Sequence, residues 1–207
     1  MAKATGSYEQ NVFLNCPFDG QYKPLFEAAV FAVQLAGFKP RCALEASNAG
    51  QIRLEKIMDI ISDCQYGIHD ISRTELNAKG LPRFNMPLEL GLDLGCRRYG
   101  RGQVKDKRLL VLDRRRHRYQ QFISDIAGQD IESHANSRKQ FIRCIRDWLS
   151  TESGAATIPG GPYIYARYRA FERFLPALCE RMRLSPEELT FGDLSRLVRI
   201  WLEENET

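Results

Sequence analysis

Four short runs of apolar residues, NVFLN (11–15), PRCAL (40–44), QYGIHDI (65–71) and RLLVLD (108–113), alternate along this chain with stretches in which apolar residues recur at helical spacing. The runs are continuously apolar rather than alternating, the pattern of strands covered on both faces. Between them, Leu25, Phe26, Ala29, Val30 and Val33 mark a helix over roughly 21–36, ended by Gly37, and Ile52, Ile57, Ile60 and Ile61 mark another over about 51–63. A third helix is expected from near Asn85 to near Arg98, with Asn85 as its cap and Pro87 in the first turn, where a missing N–H costs nothing. A short helix at 119–124, an edge strand at 129–133 and a helix at 137–149 complete the unit. Strands alternating with helices in this way specify a parallel sheet with right-handed crossovers. The expected architecture is α/β: a flavodoxin-like three-layer parallel sheet of about five strands, in the order 2-1-3-4-5, with a C-terminal helical extension.

The α/β domain is expected to occupy residues 1–150. The small, flexible composition of STESGAATIPGGP reads as a linker, 151–162, leading to a helical segment, 163–207. That segment holds two helices, one with Phe171, Phe174, Leu175 and Leu178 on a face and one with Leu194, Leu197, Val198 and Trp201. Pro176 is expected to kink the first. A helical pair is too small to stand alone, so it must pack on the α/β unit or on a second chain. A homo-oligomer formed through these helices is therefore expected.

The 207 residues are 43% hydrophobic and 27% charged, with a net charge of +4, too mild to argue for nucleic acid, which is not expected as a partner. No apolar run approaches the roughly 20 residues of a membrane span. The opening MAKATGSYEQ lacks the apolar core of a signal peptide, so a cytoplasmic protein with no membrane partner is expected. The six cysteines form no C-x-x-C pair and lie among apolar residues, so they read as small, reduced core residues. No metal and no cofactor is expected.

In an open α/β sheet, ligands collect beyond the carboxyl ends of the strands near the switch point. Three segments fall there: NCPFDG, with Asn15, Phe18 and Asp19; DISRTE, with Asp70, Ser72 and Arg73; and FNMPLELG, with Asn85 and Glu89. Glu89 lies about one turn inside its helix, where the helix dipole holds its pKa down and its neighbours Leu88, Leu90 and Leu92 push it up. Such a carboxylate can hold a ribose hydroxyl, or stabilise the oxocarbenium ion formed when a glycosidic bond breaks. From spacing alone it also reads as a dipole-favoured surface glutamate.

A resemblance sharpens this. HDISRTELNAKGLPRFNMPLELGLDLG followed by KRLLVLD resembles the nucleoside 2-deoxyribosyltransferases, which carry an aspartate at a strand end and then an N-x-x-x-E-L-G-type helix start. The opening VFLNCPFDGQYKPLFEAAVFAVQLAGF is similar both to that family and to Toll/interleukin-1 receptor (TIR) domains, some of which cleave the nicotinamide–ribose bond of NAD. The resemblance covers roughly residues 11–114. It implies that Glu89 acts on the anomeric carbon, that Asp70 sits near the sugar or base, that Asn85 orients a hydroxyl, and that Asn15, Phe18, Asp19 and Ser72 line the substrate pocket. It implies a nucleotide N-glycosidic-bond hydrolase or transferase with NAD as leading substrate, a small-molecule nucleotide as partner, and a role in bacterial defence or stress signalling. The chain departs from the resemblance in a first loop without a glycine-rich pattern, a long basic loop before Asn85, and the helical tail. A non-catalytic nucleotide sensor or a TIR-type interaction module remains the alternative.

Other groups have quieter readings. His69 reads as a hydrogen-bonded structural histidine or a general acid. Arg41, Glu45, Arg53 and Glu55 read as solvated helix-end charges or as groups reaching the crevice, where an arginine would suit a phosphate. The run RRRHR (114–118) reads as a charged loop or an anion site, and Tyr163, Tyr165, Tyr168 and Phe171 as helix packing or base stacking.

Overall fold

A computed structural model describes residues 7–45, 52–75, 80–155 and 157–205. Its sheet holds five parallel strands, β1 (Asn11–Asn15), β2 (Lys39–Arg41), β3 (Tyr66–Asp70), β4 (Arg108–Asp113) and β5 (Ile131–Ser133), in the order β2-β1-β3-β4-β5. Leu14 pairs with Ile68 and Ile68 with Leu110, so the three central strands run in register through the core. The helices are α1 (Lys23–Leu35), α2 (Arg53–Ser62), α3 (Asn85–Tyr99), α4 (Arg138–Glu152), α5 (Gly161–Met182) and α6 (Phe191–Glu204). This is the flavodoxin-like α/β architecture expected from the pattern of apolar runs.

The alternation of strand side chains divides the core. Val12, Leu14, Ile68, Leu110 and Leu112 face α1 and α4, whereas Phe13 and Val111 face the α2 and α3 side. The expected strand PRCAL ends early, because Glu45 folds back. Its carboxylate accepts from the Cys42 N–H at 2.9 Å and from Arg41 Nε at 2.6 Å, closing a turn. Arg41 and Glu45 are thereby spent on each other. In place of a short helix at 119–124 there are two 3₁₀ turns, Arg118–Gln121 and Ser124–Ile126. Tyr119 and Ile126 pack from them beneath α3 with Met86 and Leu90.

The C-terminal helices pack on their own α/β unit. Helix α1 is apolar on nearly every side, with Leu25, Phe26 and all of Ala28–Val33 buried, because it lies between the sheet and the tail. The Phe31 ring meets Tyr168, Phe171 and Trp201 at centroid distances of 5.7, 5.4 and 5.7 Å. Gln34 Nε2 donates to Ser195 O at 3.0 Å, and Tyr168 OH to Pro24 O at 3.3 Å. Most of the apolar residues expected to drive self-association are thus covered within the chain, Phe174 being exposed. The expected linker is clipped down too. Helix α4 runs on to Glu152, and the Arg146 guanidinium then holds Ile158 O and Pro159 O at 2.8 and 2.9 Å. Helix α5 continues through Pro176, which is exposed, so water can serve the carbonyl that the ring leaves without a donor.

Among the described residues no helix is long and apolar enough to cross a membrane. All six cysteines are free thiols. Burial pushes Cys42 and Cys64 up to about 12 and Cys144 to about 11, which makes them poor nucleophiles.

Candidate functional site

Helix α3 turns one narrow stripe inward: Met86, Glu89, Leu90 and Asp93, at i, i+3, i+4 and i+7. Two of these four core positions are acids, and the two are treated differently. Asp93 is fully buried and paired on both sides. Its Oδ2 lies 3.0 Å from His69 Nε2, and its Oδ1 lies 3.2 Å from the Lys107 ammonium. Lys107 is also fully buried, and it donates to Ile61 O at 2.6 Å and to Cys64 O, at the carboxyl end of α2. A buried amine is tolerable only with such a set of acceptors.

His69 continues the chain. Its Nδ1 lies 2.9 Å from Asn15 Nδ2, which also donates to Met86 O at 2.9 Å. An amide donor at Nδ1 leaves the ring proton on Nε2, facing Asp93. Asn15, expected at the sugar pocket, is therefore 2% exposed and ties β1 and β3 to the first turn of α3. Gly67 makes room for this chain. A Cβ there would lie 2.6 Å from Asp93 Oδ2 and 2.8 Å from His69 Nε2. Helix α3 is thus pinned at Met86 and again at Asp93, on either side of Glu89.

Glu89 itself has no hydrogen-bond partner among the described residues, although only 8% of it is exposed. Desolvation lifts its carboxyl to about 7, partly opposed by the Arg53 guanidinium at the start of α2. Its charge also reaches the thiol of Cys16, just past β1, which burial above all pushes well up. Glu89, one turn into α3, is thus within electrostatic reach of Cys16 just past β1 and of Arg53 at the start of α2. The cavities lined by Arg97, by Phe26 and by Gln140 do not have Glu89 in their walls. Residues 46–51, with most of the expected loop EASNAG, and residues 76–79 lie outside the described residues.

Asn85 does not cap α3. The cap position is Phe84, with no side-chain hydrogen bond, and Asn85 is the exposed first residue of the helix. Phe84 already has a near-helical backbone (φ −103°, ψ −4°), so the helix starts one residue before an Asn85 side chain could serve it. Asn85 and Glu89 thus stand at different depths, one on the rim and one inside.

Asp70 lies on the opposite face of the sheet from His69, buried and fully engaged. Its Oδ1 accepts from the Ser72 N–H at 2.8 Å; its Oδ2 accepts from Tyr22 OH and lies 3.2 Å from His134 Nε2. Desolvation raises its carboxyl, but the contacts with His134, Tyr22 and Ser72 outweigh it and leave the group below its ordinary range. Ser72 is buried as well, and its Oγ has no partner among the described residues. Asp19 accepts from Tyr22 N at 3.1 Å, from Arg73 at 3.3 Å and from Arg83 at 2.7 Å. Desolvation opposes these donors without cancelling them, and the carboxyl stays low. Phe18 and Asp19 line a cavity of about 170 Å³ on the α1 side, in which Glu89 takes no part.

The structure therefore places Asn15, Asp70 and Asp19 as braces among the ends of β1, β3 and α3, whereas Glu89 is an acid without such a brace. It adds Tyr22, Arg83, Asp93, Lys107 and His134, which are scattered in sequence and show no motif. Of the run RRRHR, Arg118 is built in: it donates to Asp113 Oδ1 at 2.8 Å, Ile71 O at 2.8 Å and Thr74 Oγ1 at 3.0 Å, fastening β4 to the loop after β3. Among the described residues no cluster of three or more His, Cys, Asp or Glu side chains could hold a metal ion. Compared with protein-family models, curated proteins and solved structures, the chain matches none of them.

Proposed function

We propose that the protein is an enzyme that cleaves an N-glycosidic bond in a nucleotide, with NAD the leading substrate and Glu89 the group that meets positive charge at the anomeric carbon. The observation that carries this reading is a glutamate in a core position of α3, without a hydrogen bond among the described residues, lifted to about 7. A desolvated carboxylate is destabilised in the free protein, and a neighbouring cation relieves it. Breaking the nicotinamide–ribose bond supplies that cation. The C1′–N electron pair leaves with the ring, which becomes neutral, and positive charge moves to the ribose. Stabilisation is then greatest where the charge develops, which is the condition for rate enhancement. Water adds at C1′ and loses one proton, which a carboxylate with a pKa near neutrality is suited to accept. The sheet's carboxyl edge and the likeness of residues 11–114 to deoxyribosyltransferases and TIR domains support the same reading.

The test is incubation of the full chain with NAD, deoxynucleosides and nucleoside monophosphates, followed by chromatography of the free base. Release by the wild type, reduced at least about a hundredfold in Glu89→Gln with an unchanged circular dichroism spectrum, is expected. Equal release by the two proteins would remove Glu89 from the reaction.

A further inference from the structure

The cavity between the first loop, α1 and the start of α6 has features of its own. Its floor is the Phe26 ring, flanked by Phe18 edge-on at 5.3 Å and by Phe191 at 6.0 Å. Its volume of about 170 Å³ is enough for a compact organic group.

The charges in its wall are unevenly served. Asp19 is held by Arg73 and Arg83. Glu187 accepts from Ser185 Oγ at 2.9 Å. Lys23 donates to Pro186 O at 3.0 Å. Glu27 has only the Lys23 ammonium, at 4.0 Å, and accepts no hydrogen bond among the described residues. Its side chain is 15% exposed, and desolvation lifts its carboxyl above the ordinary range, an effect that nearby Glu172 adds to and Lys23 and Arg138 oppose. Aromatic ring faces attract cations, and a half-buried carboxylate without a full partner does so more strongly.

We propose that this cavity is a binding site for a small organic cation, an ammonium carried on a compact aromatic or apolar group. The apolar part lies on Phe26 between Phe18 and Phe191, and the ammonium pairs with Glu27. The segment between α5 and α6 forms one wall and the first loop another, so a bound cation fastens the helical tail to the loop that carries Asp19. Arg83, which grips Asp19, lies just before α3 in the chain, so occupancy of this site bears on the start of the helix that holds Glu89.

The test is isothermal titration of the full chain with 2-phenylethylammonium, 2-phenylethanol and phenylacetate, which share one ring and differ in charge. Saturable binding of the ammonium is expected, with the alcohol at least roughly tenfold weaker and the carboxylate not bound. Glu27→Gln is expected to bring the ammonium down to the level of the alcohol. Leu44→Trp, at a half-exposed position in the wall, fills the cavity without disturbing the core and is expected to abolish binding of both. Thermal melts verify that the variants fold, and should Glu27→Gln fail to, Leu44→Trp and the three-ligand comparison decide alone. No saturable binding of the ammonium, equal binding of the alcohol, or binding indifferent to both substitutions would overturn the proposal. Because no nucleotide is used, the outcome is independent of Glu89.

Discussion

Glu89 holds the place where α3 would ordinarily bury a leucine, and its cost can be read as a pH dependence. Its carboxyl stands at about 7 in the folded chain against an ordinary 4.5. Below about 4.5 the group is protonated folded or unfolded and contributes nothing. Between about 4.5 and about 7 the unfolded chain loses the proton first, so stability falls as pH rises, and above about 7 the loss is complete. Glu89→Gln removes that penalty, less whatever burying the amide costs. Urea unfolding is therefore expected to show the variant more stable than wild type by up to about 3 kcal/mol at pH 8, with the gap closing by pH 4. Equal stability at pH 8 would mean that the folded site already solvates the charge. Asp70 works in the opposite sense. Its lowered carboxyl contributes stability that is present above the usual aspartate range and lost as acid protonates it in the folded state.

What could be read from these residues beforehand follows from how local their causes are. Glu89 was visible, because an acid among Leu88, Leu90 and Leu92 breaks an apolar pattern within one helix. That Asn15 and Asp70 would be buried and held within the fold was not, because the partners that hold them, His69, Met86, Tyr22 and His134, lie 48 to 71 residues away. The Lys107–Asp93–His69 chain was hidden for the same reason, since a lysine before a strand reads as a surface charge until the fold places two carbonyls above it.

At the scale of elements, the central strands and the last helix follow their patterns most closely: β4 and α6 begin and end where the apolar periodicity does. Helix α6 also opens with a reciprocal cap. Thr190 Oγ1 accepts from the Asp193 N–H at 3.1 Å, and the Asp193 carboxylate accepts from the Thr190 N–H at 3.2 Å. Thr190→Ala is expected to lower stability by about 1 kcal/mol in urea unfolding, with no change in slope. The elements that departed from expectation, β2 and the turns after β4, are short ones in which side chains outbid the backbone pattern. Glu45 ends the strand, and Arg118 anchors the turns that were expected as one helix. Helix α3 has no such cap at Phe84; tertiary contacts at Met86 and Asp93 set its position instead.

For the molecule as a whole, the tail completes the core. Phe31, Val30 and Val33 share one buried cluster with Leu175, Leu194, Leu197 and Trp201. A chain ending at residue 160 would bare the outer face of α1. It is expected to lose its near-ultraviolet circular dichroism and to elute as aggregates in size-exclusion chromatography, while keeping much of its far-ultraviolet signal. A truncated chain that stayed monomeric and sharply folded would show the α/β unit to be independent. The layered order of the sheet was legible because it depends on runs of neighbouring residues. The docking of the tail was left between two choices, because an apolar helix face announces that it will be covered and not by what.

Helix α1 leaves the ribosome long before its cover exists: Gln34 waits for a partner 161 positions further along the chain. At translation rates of about 5–20 residues per second, that is an interval on the order of ten to thirty seconds, during which the outer face of a segment as greasy as FEAAVFAVQLA has no cover. Nascent chains of this protein should therefore depend on holding factors at the exit tunnel, and slowed synthesis of the second half should lower the yield of native product.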